Sequence, residues 1–93
     1  IRELTFEKPD LDTFKCLKLA YEAGEKGKLM PTILNGANEV CVELFLNKKI
    51  TYLQIPEIIE ECMNTFDYNK EVTLHNVINL DKEVRQYIYE KYN

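Results

Sequence analysis

The sequence predicts an all-α fold, a small four-helix bundle with an extended N-terminal lead-in. Two observations carry that reading. Four separate stretches place apolar residues at three- and four-residue steps, the period of a helix with one buried side. The connectors between them are short, which implies antiparallel neighbours, and the three strands that an independent sheet needs are not available.

Residues 1–9 alternate weakly, with Leu4 and Phe6 set against Arg2, Glu3, Thr5 and Glu7, and Pro9 ends this lead-in. Asp10 or Asp12 offers an N-cap oxygen to a first helix. From Phe14 the apolar spacing is helical through Leu17, Ala20/Tyr21 and Gly24, which predicts a helix over 13–26. Gly27 supplies the positive φ that ends it. Pro31 suits a first helical turn. Ile33, Ala37, Val40/Cys41 and Leu44/Phe45 then predict a second helix over 31–47, closed by the cations of Lys48 and Lys49 near its negative dipole end. Ile55, Ile58/Ile59, Cys62/Met63 and Phe66 form a clean stripe over 53–66, with Pro56 harmless in the first turn and Glu57, Glu60, Glu61 and Asn64 on the opposite, water-facing side. After a polar loop over 67–71, Thr73 caps a fourth helix over 74–91. Its stripe is Val77, Leu80, Val84, Tyr87/Ile88 and Lys91/Tyr92, with a break near Asn79 where Asp81 caps a restart.

Composition narrows the function. The chain has 93 residues, 45% hydrophobic and 30% charged, with a net charge of −4. That length makes one domain over 1–93 and is too short for a complete doubly wound cofactor-plus-substrate enzyme. Folding should bury about 60–70% of the unfolded surface, enough for one core without staples. Each half, 1–46 and 47–93, carries six basic and eight acidic side chains. No cationic face of the kind that nucleic-acid binding requires is indicated. There is no run of eighteen apolar residues to span a membrane and no signal-peptide layout. The chain starts without Met, and is expected to be an excised fragment or a processed product. Cys16, Cys41 and Cys62 are odd in number and far apart in sequence. They read as reduced core thiols of a cytoplasmic protein, and no metal site is expected of them.

Candidate chemistry is thin. Glu57, Glu60 and Glu61 lie on a solvated face, and His75 has no partner at catalytic spacing. Gly24, Gly27 and Gly36 match no nucleotide fingerprint. No catalytic, cofactor-binding or metal residue is assigned. One segment breaks the rules around it: Asn35, Gly36 and Asn38 stand inside the second helix, where Asn and Gly are poor formers. Such local conflict marks a special contact or a functional site. Val42 and Leu46 fall nearly opposite the core face, on the side of Asn35 and Glu39, so this helix is apolar on two sides, which implies burial on both. Asn35, Asn38 and Glu39 have two readings: they face water, or Asn38, flanking the core face, bonds the backbone of a neighbouring loop and pins the bundle.

The order "LTFEKPDLDTFKCLKLAYEAGEKG", "PTILNGANEVCVELFLNKKI" and "IPEIIEECM" resembles the C-terminal domain of the 1-deoxy-D-xylulose 5-phosphate reductoisomerase family. The likeness is densest over residues 4–59. It rests on Phe14-x-Cys16-Leu17-x-Leu19-Ala20, and on Leu34-Asn35-x-Ala37-Asn38-Glu39 followed by Phe45-Leu46. That family usually has Ala where Gly36 stands. The resemblance implies a parent enzyme that uses NADPH and a divalent cation (Mg or Mn) in the non-mevalonate route to isoprenoids, and that forms a homodimer. The NADPH-binding and catalytic domains of the same chain would precede residue 1, so this part alone is expected to be inactive. Asn35, Glu39, Val42 and Leu46 are then expected to face the catalytic domain, which this bundle would buttress. The alternative is a free-standing helical interaction module with no catalytic role.

Overall fold

The computed structural model describes residues 11–92, with side chains from Phe14 onward. The expected lead-in and the capping role of Asp10 or Asp12 lie outside the described residues. Four helices follow in order, α1 (Leu11–Lys26), α2 (Met30–Leu46), α3 (Gln54–Thr65) and α4 (Leu74–Tyr92), and there is no strand among the described residues. The all-α fold is as expected.

The helix ends have local causes. Gly27 takes φ +67° and its N–H donates to the Ala23 carbonyl at 3.0 Å, the left-handed stop that a residue without Cβ adopts freely. Pro31 stands in the first turn of α2, where its missing N–H costs nothing. At the other end the Lys49 N–H reaches back to the Leu44 carbonyl at 2.8 Å, with Lys48 at φ 63°. The start of α3 is held by Gln54, whose Oε1 accepts the Thr51 N–H at 2.8 Å. Thr73 caps α4 as its sequence position suggests: its Oγ1 accepts the Asn76 N–H at 3.1 Å.

α4 corrects one expectation, since it runs unbroken through Asn79. The Asn79 amide bonds the His75 ring nitrogen at 2.9 Å one turn back rather than competing for the backbone. Asp81 caps nothing there, because its carboxylate holds Arg85 at 2.8 Å.

α2 is the central helix and packs against the other three, while α1 also touches α3. Ile33, Ala37, Val40 and Cys41 have no exposed surface, and Ile58, Ile59 and Cys62 of α3 and Val84 and Ile88 of α4 close around them. The turn before α2 is pinned from a distance: the Leu29 N–H donates to the Tyr68 carbonyl at 3.1 Å, in the α3–α4 loop. Leu29 itself is fully buried.

The stripe that marks α1 as a helix is not the one it buries. Leu19 and Ala23 enter the core and Cys16 is half-buried, whereas Phe14, Leu17 and Tyr21 are 65%, 64% and 69% exposed.

Candidate functional site

Besides the Tyr89 hydroxyl, which donates to Glu43 of α2 at 2.5 Å, two polar ties hold α4 in place. In the first, Arg85 of α4 donates from Nη2 to Glu39 of α2 at 2.6 Å and from Nε to Asp81 at 2.8 Å. These bonds, Glu39 first, raise the already high guanidinium pKa. Glu39 is therefore committed, at least in part, to α4 within the domain.

The second tie centres on Glu61 of α3. Its carboxylate accepts from Lys91 Nζ at 2.5 Å, from the Tyr87 hydroxyl, and from the Tyr92 hydroxyl at 3.1 Å. The expectation that Glu61 only faces water is corrected, because three donors from α4 converge on it. The Lys91 bond, then the Tyr87 bond, lower the Glu61 pKa below the usual carboxylate range. The Tyr87 phenol, which must keep its proton to donate, is raised by the same contact.

A pH profile follows with a definite sign. A carboxyl whose pKa is depressed by folding contributes stability above its unfolded pKa, about 4.3, and loses it as pH falls through the folded value. Urea unfolding of the chain is expected to weaken below about pH 4 more steeply than that of Glu61→Gln, whose neutral amide has no such step. A second loss is expected in alkali, as the raised Tyr87 deprotonates. Parallel acid limbs for the two proteins would contradict the role of Glu61.

The remaining residues singled out in the sequence sit on the outward side of α2. Asn35 and Asn38 are exposed, Val42 is 40% exposed and Leu46 is 70% exposed. The pinning role expected of Asn38 is corrected: it is exposed, as on the water-facing reading, and bonds no loop among the described residues. Sequence reasoning also missed the outward side of α1. Its signal was the lack of charge at Phe14, Leu17, Ala20, Tyr21 and Gly24, which belong to one helical face.

Among the described residues no three His, Cys, Asp or Glu side chains are placed to hold a metal ion. Cys41 and Cys62 are buried, and burial pushes both thiols up to about 12, so neither is a nucleophile near neutral pH. His75 is exposed on α4. No helix among the described residues is long and apolar enough to cross a membrane.

Comparison with known proteins gives a consistent result. A family model described as "DXP reductoisomerase C-terminal domain" matches residues 1–87. The chain is 99% identical over all its 93 residues to the 1-deoxy-D-xylulose 5-phosphate reductoisomerase of Clostridium perfringens (strain 13 / Type A), and 64% identical to that of Clostridium botulinum (strain Okra / Type B1). In both cases it spans 24% of the relative's length.

Proposed function

The chain belongs to the DXP reductoisomerase C-terminal domain family, and from that premise we propose that it is the supporting helical domain of such an enzyme. The parent would convert 1-deoxy-D-xylulose 5-phosphate to 2-C-methyl-D-erythritol 4-phosphate with NADPH and a divalent cation (Mg or Mn). It would work in the cytoplasm as a homodimer on the non-mevalonate route to isoprenoids. Residues 1–93 would form one domain of it.

The described residues do not fit either cofactor. Gly27 ends a helix rather than opening one, and the space beside Gly36 is taken by the Asp81 carboxylate, so no glycine-rich turn presents backbone N–H groups to a pyrophosphate. Among the described residues no carboxylate cluster is placed for a cation. The domain's role is therefore mechanical: it holds the part of the chain that carries the chemistry.

The observation that carries this reading is the outward side of α2. Asn35, Asn38, Val42 and Leu46 are exposed there beside Glu39, whose carboxylate is bonded to Arg85, and the two apolar side chains among them, Val42 and Leu46, favour a covering domain over water. Residues 1–93 alone are expected to show no turnover and no saturable NADPH binding by calorimetry. In the full-length enzyme Val42→Asp is expected to lower the thermal midpoint or the activity, while in the domain alone it should change stability by no more than about 0.5 kcal/mol. Micromolar NADPH binding by residues 1–93, or an unaltered full-length Val42→Asp enzyme, would overturn the reading.

A further inference from the structure

α1 divides its surface into three. With about 100° per residue, Leu19, Ala23 and Cys16 share the sector turned to the core, and Lys15, Lys18, Glu22, Glu25 and Lys26 share a second. The remaining sector, roughly 120° wide, carries Phe14, Leu17, Ala20, Tyr21 and Gly24. All five are exposed and none is charged. A solvent-facing half of a helix normally carries charge throughout. Here the charges are confined to one side of it.

This bare sector does not stop at the helix. A groove of about 220 Å³ lies between α1 and α2, lined by Leu17 and Ala20 on one side and by Leu34, Asn35 and Asn38 on the other. Leu34 is half-buried at the groove. The Asn35 and Asn38 amides have no hydrogen-bond partner among the described residues. Each offers one acceptor oxygen and two N–H donors, the complement of a peptide group. Beyond them the surface of α2 continues past Glu39, which is bonded to Arg85, to Val42 and Leu46. Of the other exposed apolar side chains, Val72, Leu74 and Ile78 are interleaved with Glu71, His75, Asp81 and Lys82, and Phe45, Tyr52 and Leu53 stand where α2 leads into α3, outside the groove.

We propose that the α1–α2 groove seats a segment of the preceding part of the same polypeptide, which inserts an apolar side chain between Leu17 and Leu34 and pairs its peptide groups with Asn35 and Asn38. This rests on the reading of the chain as one domain of a longer enzyme. The occupant follows from two facts. The chain makes up 24% of its relatives' length, so in such a protein the larger part is tethered to this groove at a high effective concentration, against which a free partner or a second copy competes poorly. The face is also neutral, so phosphates, nucleic acid and strongly charged peptides find no countercharge on it.

The test uses the full-length enzyme that carries this domain. Tyr21→p-benzoylphenylalanine places a photoreactive ring on the exposed sector of α1, and Leu46→p-benzoylphenylalanine places one at the far end of α2. Irradiation and peptide mapping are expected to give an intramolecular adduct from the Tyr21 position to the part of the chain preceding this domain. Addition of Leu17→Asp to the same protein should abolish that adduct. An adduct to a second copy, or none outside the domain, would overturn the proposal. If the Leu46 position alone links to the preceding chain, the supporting role stands and the groove assignment falls. If neither position links, both fall.

Discussion

Ile33→Ala is expected to cost the domain about 2–5 kcal/mol, the range for truncating a fully buried aliphatic side chain. Ile33 has no exposed surface, and it stands on the helix that packs against the other three. Removing its outer carbons opens a cavity bounded by elements that are each held elsewhere: α4 by the Arg85 and Glu61 ties, and the α2 start by the bond from Leu29 to Tyr68. The site therefore cannot collapse fully, and the loss should lie in the upper part of the range. A domain of this size has roughly 5–14 kcal/mol in total, so the urea midpoint should fall by a large fraction. Leu17→Ala, at a position 64% exposed, supplies the contrast, with a change within about 0.5 kcal/mol. A loss below about 1 kcal/mol for Ile33→Ala would show that α2 is not the centre of the core.

Gly36→Leu is the second large effect. Gly36 is buried where α2 meets α4, and a Cβ placed on it would stand 2.8 Å from Asp81 Oδ1 and 3.7 Å from Val84 Cγ1. Alanine asks only that the Asp81 carboxylate swing aside. That weakens its bond to Arg85, and a gain in helix propensity of about 1 kcal/mol offsets the loss. Gly36→Ala is therefore expected to be near neutral. Leucine carries three more carbons toward Val84 and forces α4 off α2. Overpacking of this kind costs about 1–3 kcal/mol, and the Glu39–Arg85–Asp81 tie goes with it. Thermal unfolding of the two variants beside the parent protein decides the matter. Equal midpoints for Ala and Leu would mean that α4 does not sit closely on Gly36.

The same glycine shows what a sequence can and cannot carry. The conflict of Asn35, Gly36 and Asn38 with their helix was legible in the residue types. Its cause was not a single polar contact. Gly36 lets the Asp81 side chain come close, and the two amides line a groove on the other side. Glu39 looked like a member of the outward face, yet it reaches Arg85, forty-six positions later, a pairing that no local period encodes. α3 was read almost complete, because its one apolar stripe is also its one buried stripe. α1 was harder. Its bulkiest apolar residues lie on the open side, while its buried contacts are made by Leu19 and the small Ala23. Periodicity therefore established that α1 is a helix without saying which way it faces. The acidic residues of α3 were assigned to water by the same logic, and two depart from it: Glu60 pairs with Lys15 of α1 at 3.0 Å, and α4 returns across the edge at Glu61 with three donors.

The bond from the Leu29 N–H to the Tyr68 carbonyl bears on how the bundle comes apart. An amide in a short turn ordinarily opens by fraying, independently of the structure behind it. This one is buried and held by a loop that connects the other two helices, so the turn cannot fray without the loop letting go. The turn between α1 and α2 and the loop between α3 and α4 are thereby coupled, and opening of either exposes the other. Local fluctuations at that end become sub-global events, in which the turn and the loop open as a single cooperative unit.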